Sequence, residues 1–206
     1  MRNKIKRKGK KKYSFIVDGK TEKWYLQLMK EHENLKNIDI EPALPKKKKL
    51  SELEKLIIEN AKHYDKVIWI VDFDTIIKEE KERKKSGKSK IQKFKKILHK
   101  FKNIENIKIL VNTPCLEYWY LLHFKNTSKY YSKCESIFKE FKGTILDNYK
   151  KTENYYKKTN NDIYQKLKPL KTQAILRSKK LGNFNLKNYE SAKAEIYKIF
   201  NILELN

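Results

Sequence analysis

The 206-residue chain has few cysteines, the residues that cross-link small secreted domains, and it has no long apolar stretch. It has two cysteines, five glycines and four prolines. Cys115 and Cys134 show no pair spacing, so the sequence predicts two reduced thiols in a cytoplasmic protein. The cysteines and the four histidines form no zinc-binding pattern. No apolar stretch approaches the length of a membrane span, so we expect no membrane partner.

Acidic residues are also in short supply relative to basic ones. Lysine and arginine outnumber aspartate and glutamate by 50 to 25, which gives a net charge of +25. This excess favours a polyanionic partner such as nucleic acid; the alternative is the lysine and asparagine usage of a low-GC genome. Residues 1–12 are basic without a following apolar core, so we expect a disordered basic arm rather than a signal peptide.

The pattern of apolar residues predicts an α/β fold. Strands and helices alternate over residues 13–125, which indicates a mainly parallel four-stranded sheet with helices on both faces. The predicted strands cover 13–18, 37–43, 66–71 and 107–111, and the predicted helices cover 21–33, 50–64, 91–101 and 115–124. Residues 76–90 are interpreted as a mobile insertion or a frayed helix start. Residues 126–206 are predicted to form a helical extension packed on this core, with helices at 129–141, 162–181 and 188–203 and a break at Pro169.

Two carboxylates end the most apolar predicted strand. Asp72 and Asp74 close the run Lys-Val-Ile-Trp-Ile-Val-Asp-Phe-Asp, whose composition is typical of a buried strand. Side chains two apart on a strand point to the same side, and two nearby anions need a proton or a cation between them. The pair therefore indicates a divalent-metal site, the alternative being a solvated turn.

A second acidic segment follows the first predicted strand. Asp18 and Gly19 form a tight turn, and the helix after them directs its free N–H groups to the same edge of the sheet. Asp18 is predicted to be a general base or a third metal ligand, and Lys20 to contact substrate phosphate. Glu22 is predicted to be catalytic, or alternatively to stabilise the helix N-terminus through the helix dipole. The glycine pattern of a P-loop is missing.

The helix predicted at 115–124 is apolar on nearly all sides but carries a carboxylate in its first turn. A buried carboxylate needs a partner, so Glu117 is predicted to join or support the metal site, or else to pair with a lysine. Asn112, at the end of the preceding strand, is a candidate for substrate binding. His123 is interpreted as a core histidine rather than a ligand.

Lysines alternate with tyrosines in two later stretches. Tyr149 and Lys151 belong to the first, and residues 155–158 form the second. Such stretches can hold phosphates and stack bases, or they can be solvated segments with packed tyrosines. Lys151 is predicted to be catalytic through transition-state charge, and Tyr149 and Lys151 are candidates for substrate binding.

Oxygen ligands without a cysteine or histidine set are typical of Mg²⁺ or Mn²⁺. Two such ions can stabilise the attacking and leaving oxygens of a phosphodiester. Basic residues would attract the polyanion to this acidic metal site, so the residues together predict a metal-dependent nuclease.

These motifs resemble those of the RloB-like family, a branch of the Toprim-containing proteins found with bacterial phage-defence genes. The family's Glu-Gly-x-x-Thr-Glu-like turn corresponds to residues 18–22, and its Asp-x-Asp strand end to residues 72–74. Its Asn-Pro-Cys-Phe-Glu-x-Trp-x-Leu-Leu-His-Phe-like helix corresponds to residues 112–124, with Thr113 as an extra residue and Leu116 in place of Phe. A Tyr-x-Lys element corresponds to residues 149–151.

The resemblance implies a Toprim-like α/β core, a magnesium-dependent nuclease and, in many cases, a partner ATPase of the AAA/ABC type. The defence context suggests RNA such as tRNA, or DNA, as the substrate. The family's strand-one acid is usually Glu, and here it is Asp18, which is shorter by one methylene. A non-catalytic nucleic-acid-binding subunit with a degenerate metal site is the alternative, and a primase-like or topoisomerase-like chemistry is a third.

Overall fold

The computed structural model describes residues 11–41, 49–83 and 87–205. Most of the predicted basic arm, the end of the predicted second strand and part of the predicted insertion lie outside these ranges.

Five strands form one sheet in the order β2-β1-β3-β4-β5. The first four pair in parallel, which confirms the predicted fold class. They are β1 (Tyr13–Ile16), β2 (Ile38–Glu41), β3 (Lys66–Asp72) and β4 (Ile107–Thr113). The fifth, β5 (Lys193–Ala194), pairs antiparallel with the end of β4. The prediction missed β5 because two residues are too short to show strand periodicity.

Helices cover both faces of the sheet, and the alternation of side chains along β3 shows why. Ile68 and Ile70 face one apolar cluster, whereas Val67, Trp69 and Val71 face the other. A central parallel strand is buried on both sides, so all five residues are apolar. The helices of the first half are α1 (Lys20–His32), α2 (Leu50–Asn60), α3 (Phe73–Lys81), α4 (Lys90–Phe101) and α5 (Leu116–Phe124).

The second half is more broken than the sequence predicts. It contains α6 (Glu135–Phe138), α7 (Glu153–Tyr156), α8 (Ile163–Leu167), α9 (Lys171–Lys180) and α10 (Lys198–Ile202), with short 3₁₀ turns between some of them. The predicted break at Pro169 is confirmed, since a 3₁₀ turn at Lys168–Leu170 separates α8 from α9. The continuous helices predicted at 129–141 and 188–203 are wrong. The first shrinks to α6 and a 3₁₀ turn, and β5 interrupts the second.

Helix α5 is the buried centre of the fold. Leu116 to His123 are all buried, because the sheet lies on one side of α5 and helices of the second half lie on the other. Arg177 of α9 donates hydrogen bonds to the carbonyls of Leu122 and His123 at 2.8 and 3.0 Å. These bonds satisfy carbonyl groups that a helix end leaves free. Helix α5 therefore holds Glu117 in a fixed position at the carboxyl edge of the sheet.

No helix in the described part of the chain is both long enough and apolar enough to cross a membrane.

Candidate active site

The turn after β3 differs from the predicted strand end. The strand ends at Asp72, and α3 begins at Phe73, so Asp74 lies in the first helical turn. The argument from strand alternation was therefore wrong for Asp74. The buried Phe73 ring packs against Phe94 and Phe184, and the Asp74 N–H donates to the carbonyl of Pro114. These contacts favour the helical turn over a continued strand.

Both aspartates nevertheless line one cavity of about 320 Å³ at the carboxyl edge of the sheet. We call this cavity the acidic pocket and define it by Asp18, Glu22, Asp72, Asp74 and Lys151. Its wall also includes Gly19, Thr21, Leu50, Leu53, Ile70, Thr75, Ile76 and Glu79. The pocket lies beyond the carboxyl ends of parallel strands, where open α/β sheets bind ligands. Four predicted site carboxylates and one predicted site lysine thus come together.

The three aspartates of the acidic pocket have pKa values above the usual value of a carboxyl group. Burial, reinforced by the charge of Glu22, raises the pKa of Asp18 to about 7. Burial raises the pKa of Asp74 to about 6, although Lys151 partly opposes the shift. Burial and the charges of Glu22 and Asp74 raise the pKa of Asp72 well above its usual value. When such groups lose their protons, a nearby cation would stabilise the resulting anions.

Glu22 provides a test of whether a cation fits the pocket. Its Oε1 accepts a hydrogen bond from the Thr21 hydroxyl at 3.0 Å. Its Oε2 is buried and has no donor partner among the described residues, and its charge acts on Asp72. A proton or a cation must therefore offset the repulsion between Glu22 and Asp72. The oxygen-only donor set suits Mg²⁺ or Mn²⁺.

Gly19 makes room for this arrangement. A Cβ atom at position 19 would collide with Glu22 Oε2. A glycine here therefore allows the Glu22 side chain to turn back toward the pocket.

Glu117 is fully buried beside the pocket. Its Oε1 accepts a hydrogen bond from the Tyr149 hydroxyl at 2.7 Å and pairs with Lys151 Nζ at 2.9 Å. Burial raises the pKa of Glu117 despite the opposing effect of Lys151. Burial alone would lower the pKa of Lys151, but the charge of Glu117 raises it above its usual value. Of the two predicted alternatives, the ion pair with a lysine is present, and a role of Glu117 in a metal site stays a prediction.

Lys151 connects this ion pair with solvent. Its side chain is 39% exposed while its partner Glu117 is fully buried. Lys151 lines the acidic pocket, so its ammonium group can pair with Glu117 and still contact an anion that enters from solvent.

Three predicted substrate contacts lie elsewhere than at the pocket wall. The Asn112 amide donates to Asp72 Oδ1 and its Oδ1 accepts from the Ile196 N–H, both at 3.3 Å. Asn112 therefore orients Asp72. The buried Tyr149 orients Glu117, and Lys20 is exposed and does not line the pocket.

His123 and the later tyrosines are structural. His123 is buried and bonded through Nδ1 to the Trp119 carbonyl at 2.9 Å, and burial lowers its pKa to about 3. This confirms the prediction of a core histidine. Tyr156 is buried against Trp24, and Lys157 pairs with Glu153. For residues 155–158, the packed-tyrosine interpretation fits these contacts better than a base-stacking surface.

The prediction of two reduced thiols is wrong in this structure. Cys115 and Cys134 are joined by a disulfide across 19 positions of the sequence. The fold brings the N-cap of α5 next to the N-cap of α6, and this proximity leaves no spacing signal in the chain. Ligand atoms of Asp74, Cys115 and Cys134 lie within 4.8 Å of one another, which makes the three a possible metal-binding group. Sequence reasoning missed it because it treated the cysteines separately from the acids.

The fold and the site together define an α/β protein that is consistent with a Toprim-like core and carries an acidic pocket at the carboxyl edge of its sheet. The RloB-like protein family matches residues 14–203, and the chain belongs to this family. No curated protein and no solved structure matches the chain.

The raised pKa values predict a pH-dependent stability. A carboxyl group whose pKa is higher in the folded than in the unfolded chain lowers the free energy of unfolding. The loss is absent at pH values below the unfolded-state pKa and is largest at pH values above the folded-state pKa. For Asp18 the interval runs from 3.8 to about 7, and each pKa unit corresponds to about 1.4 kcal/mol. We expect Asp18→Asn to stabilise the metal-free protein at pH 8, by at most about 4 kcal/mol, with little effect near pH 4.

Urea unfolding of the wild type and of Asp18→Asn at both pH values measures this difference. Asp39→Asn is the control, since Asp39 lies on β2 opposite Ser14, away from the pocket. Added Mg²⁺ is expected to narrow the gap at pH 8, because a cation would favour the ionised form of the wild-type pocket. An equal effect of Asp18→Asn at pH 4 and pH 8 would contradict the raised pKa.

Proposed function

We propose that this protein is a metal-dependent endonuclease that hydrolyses phosphodiester bonds in RNA or DNA, acting in anti-phage defence with a partner ATPase. The observation that carries the proposal is the acidic pocket, in which the four predicted carboxylates, together with Glu79 and Lys151, line one cavity. Membership of the RloB-like family supports it.

The pocket residues divide into two groups by what they can do. Asp72, Asp74 and Glu22 would hold Mg²⁺ or Mn²⁺, because their oxygens line the pocket and repel one another without a cation. The ion would supply Lewis-acid activation and charge neutralisation at the phosphodiester. Asp18, whose pKa is raised to about 7, is suited to accept a proton from attacking water near neutral pH.

Lys151 is the cationic member of the pocket. Its ammonium group can stabilise the negative charge that develops on the phosphoryl oxygens. Glu117 keeps it protonated and, through the 2.9 Å contact, fixes its direction. Glu117 in turn is held by Tyr149, so this part of the site is preorganised by buried contacts.

The charge of the chain supports a polyanionic substrate. The chain has a net charge of +25, although its pocket is acidic. A polyanion would be attracted by the protein as a whole and would approach the carboxylates only where a metal ion neutralises them. Helix α4 illustrates this surface: it carries five lysines and no acid.

The second candidate function is binding of nucleic acid without catalysis. Among the described residues, no three of the pocket carboxylates have ligand oxygens mutually within 4.8 Å, and Asp18 replaces the usual Glu. Both observations favour a non-catalytic nucleic-acid-binding subunit. Such a subunit would bind RNA or DNA with strong salt dependence but without dependence on metal.

A cleavage assay distinguishes the two functions. Purified protein is incubated with tRNA, single-stranded RNA and double-stranded DNA in Mg²⁺, Mn²⁺ or a chelator, alone and with any AAA/ABC-type ATPase that a neighbouring gene encodes. We expect the protein to cleave at least one of these substrates, and we expect this cleavage to require Mg²⁺ or Mn²⁺. Salt-sensitive binding with no cleavage under any of these conditions would establish the binding subunit instead.

A further inference from the structure

We propose that reduction of the Cys115–Cys134 disulfide opens a second metal site, specific for a thiophilic ion such as Zn²⁺ and formed by Asp74, Cys115 and Cys134. The inference does not depend on nuclease activity. It concerns a group of ligands different in kind from the oxygen-only acidic pocket.

The three ligand atoms are already close together. One carboxylate oxygen of Asp74 and the two sulfur atoms lie within 4.8 Å of one another. Both cysteines are buried, whereas Asp74 is partly exposed at the pocket wall. Asp74 lines the acidic pocket, so one of the three ligands can be reached from solvent.

The surroundings of Cys134 fit a thiol better than a disulfide sulfur. Its Sγ lies 2.8 Å from Glu117 Oε2. A disulfide sulfur has no proton to donate, so in this contact a lone pair of the sulfur faces a lone pair of the carboxylate oxygen. A thiol would instead donate a hydrogen bond to that oxygen. Lys151 Nζ lies 3.5 Å from the same sulfur, and a nearby ammonium group stabilises a thiolate.

The redox step needs an external two-electron reductant, such as a dithiol. Two thiolate exchanges transfer two electrons to the Cys115–Cys134 bond, which breaks, and the dithiol becomes a cyclic disulfide. Cys115 and Cys134 each gain one proton as thiols. Binding of the metal ion then displaces both protons, because the ligand is the thiolate.

The resulting ligand set is chemically distinct from that of the acidic pocket. Two thiolates and a carboxylate suit tetrahedral Zn²⁺, with Zn–S bonds of about 2.3 Å. That geometry separates the two sulfurs to about 3.8 Å, which is within reach of side-chain rotation once the bond between them is broken. Glu117 Oε2, which contacts Cys134, is placed to take the fourth position.

Asp74 belongs to both sites, and this has a regulatory consequence that rests on the proposed function. An Asp74 carboxylate bound to Zn²⁺ can no longer bind Mg²⁺ or Mn²⁺ in the acidic pocket. The thiophilic ion would therefore inhibit the reduced enzyme and leave the oxidised enzyme unaffected.

Cobalt(II) is the probe, because thiolate coordination gives it a charge-transfer absorption that oxygen ligands do not. The full chain is reduced with a phosphine, desalted without oxygen and titrated with Co²⁺, and an oxidised sample is titrated in parallel. We expect the absorption to saturate at one equivalent in the reduced protein, to be absent in the oxidised protein, and to disappear on addition of Zn²⁺.

Two variants test the ligands. The Cys115→Ser/Cys134→Ser double variant should lose the absorption. Asp74→Asn should weaken Co²⁺ binding at least about tenfold, since loss of even an outer-shell partner typically costs 10- to 100-fold. Asp39→Asn, which makes the same change away from the pocket, should match the wild type.

The oxidised wild type has the same sequence as the reduced one, so the comparison stands even where the serine variant does not fold. The proposal is overturned by absence of the absorption in reduced protein, by equal absorption in oxidised protein, or by unchanged affinity in Asp74→Asn. None of these outcomes requires nucleic acid or cleavage, so they are distinct from a failure of the proposed nuclease function.

Discussion

Asp72→Asn is expected to lower metal-dependent cleavage at least about 100-fold, the range typical for removal of one group that stabilises a transition state electrostatically. Asp72 lies at the centre of the charge network, since Glu22, Asp74 and Glu117 all act on it. Asn112 also orients it through a hydrogen bond. An asparagine keeps the shape of the side chain but removes the negative charge that holds a cation.

The measurements are single-turnover cleavage rates over a range of Mg²⁺ concentrations, together with Mg²⁺ titration calorimetry. Asp39→Asn is the matched control, because it removes the same charge from β2, opposite Ser14 at the start of β1. Salt-dependent binding of nucleic acid should survive in Asp72→Asn, since basic residues supply it. Wild-type cleavage by Asp72→Asn would exclude Asp72 as a metal ligand.

Lys151→Met is expected to destabilise the protein by about 2–3 kcal/mol. Removing one partner of a fully buried pair costs about 3–5 kcal/mol; the lower figure allows for the 39% exposure of the Lys151 side chain. The substitution leaves Glu117 buried with the Tyr149 hydroxyl as its donor. Cleavage should fall as well, because the pocket loses the ammonium group of Lys151.

A double-mutant cycle separates these two effects. Glu117→Gln removes the buried charge, so Lys151→Met should cost much less stability in that background than in the wild type. Cleavage should stay low in the double variant, since Lys151 is still absent. Lys150→Met is the control, because Lys150 is the exposed neighbour of Lys151. Additive stability losses in the cycle would show that the two side chains do not interact energetically.

The four parallel strands could be predicted because each has a strong local pattern. The run from Lys66 to Asp72 is apolar and β-branched, and such a run is stable only as a strand buried on both faces. The locations of Asp18, Asp72 and Glu117 follow from this pattern, since each comes at or just after the end of a strand. Polar side chains at the ends of parallel strands meet at one edge whatever the details of packing.

The second half of the chain was less predictable for a physical reason. Its segments are short, and short helices in water depend on tertiary contacts rather than on their own propensity. A two-residue strand such as Lys193–Ala194 exists only because the end of β4 offers backbone partners. The predicted helices at 129–141 and 188–203 therefore failed where packing, not local pattern, sets the structure.

The sequence by itself determined the α/β class, the buried central strands and the acidic residues at their ends. Only the tertiary structure decided that Asp74 stands on a helix, that Lys151 pairs with Glu117 across 34 positions, and that Cys115 lies beside Cys134. The reason is the range of the interactions. Strand and helix patterns arise between neighbours in sequence, whereas ion pairs and disulfides depend on distances that exist only after the chain has folded.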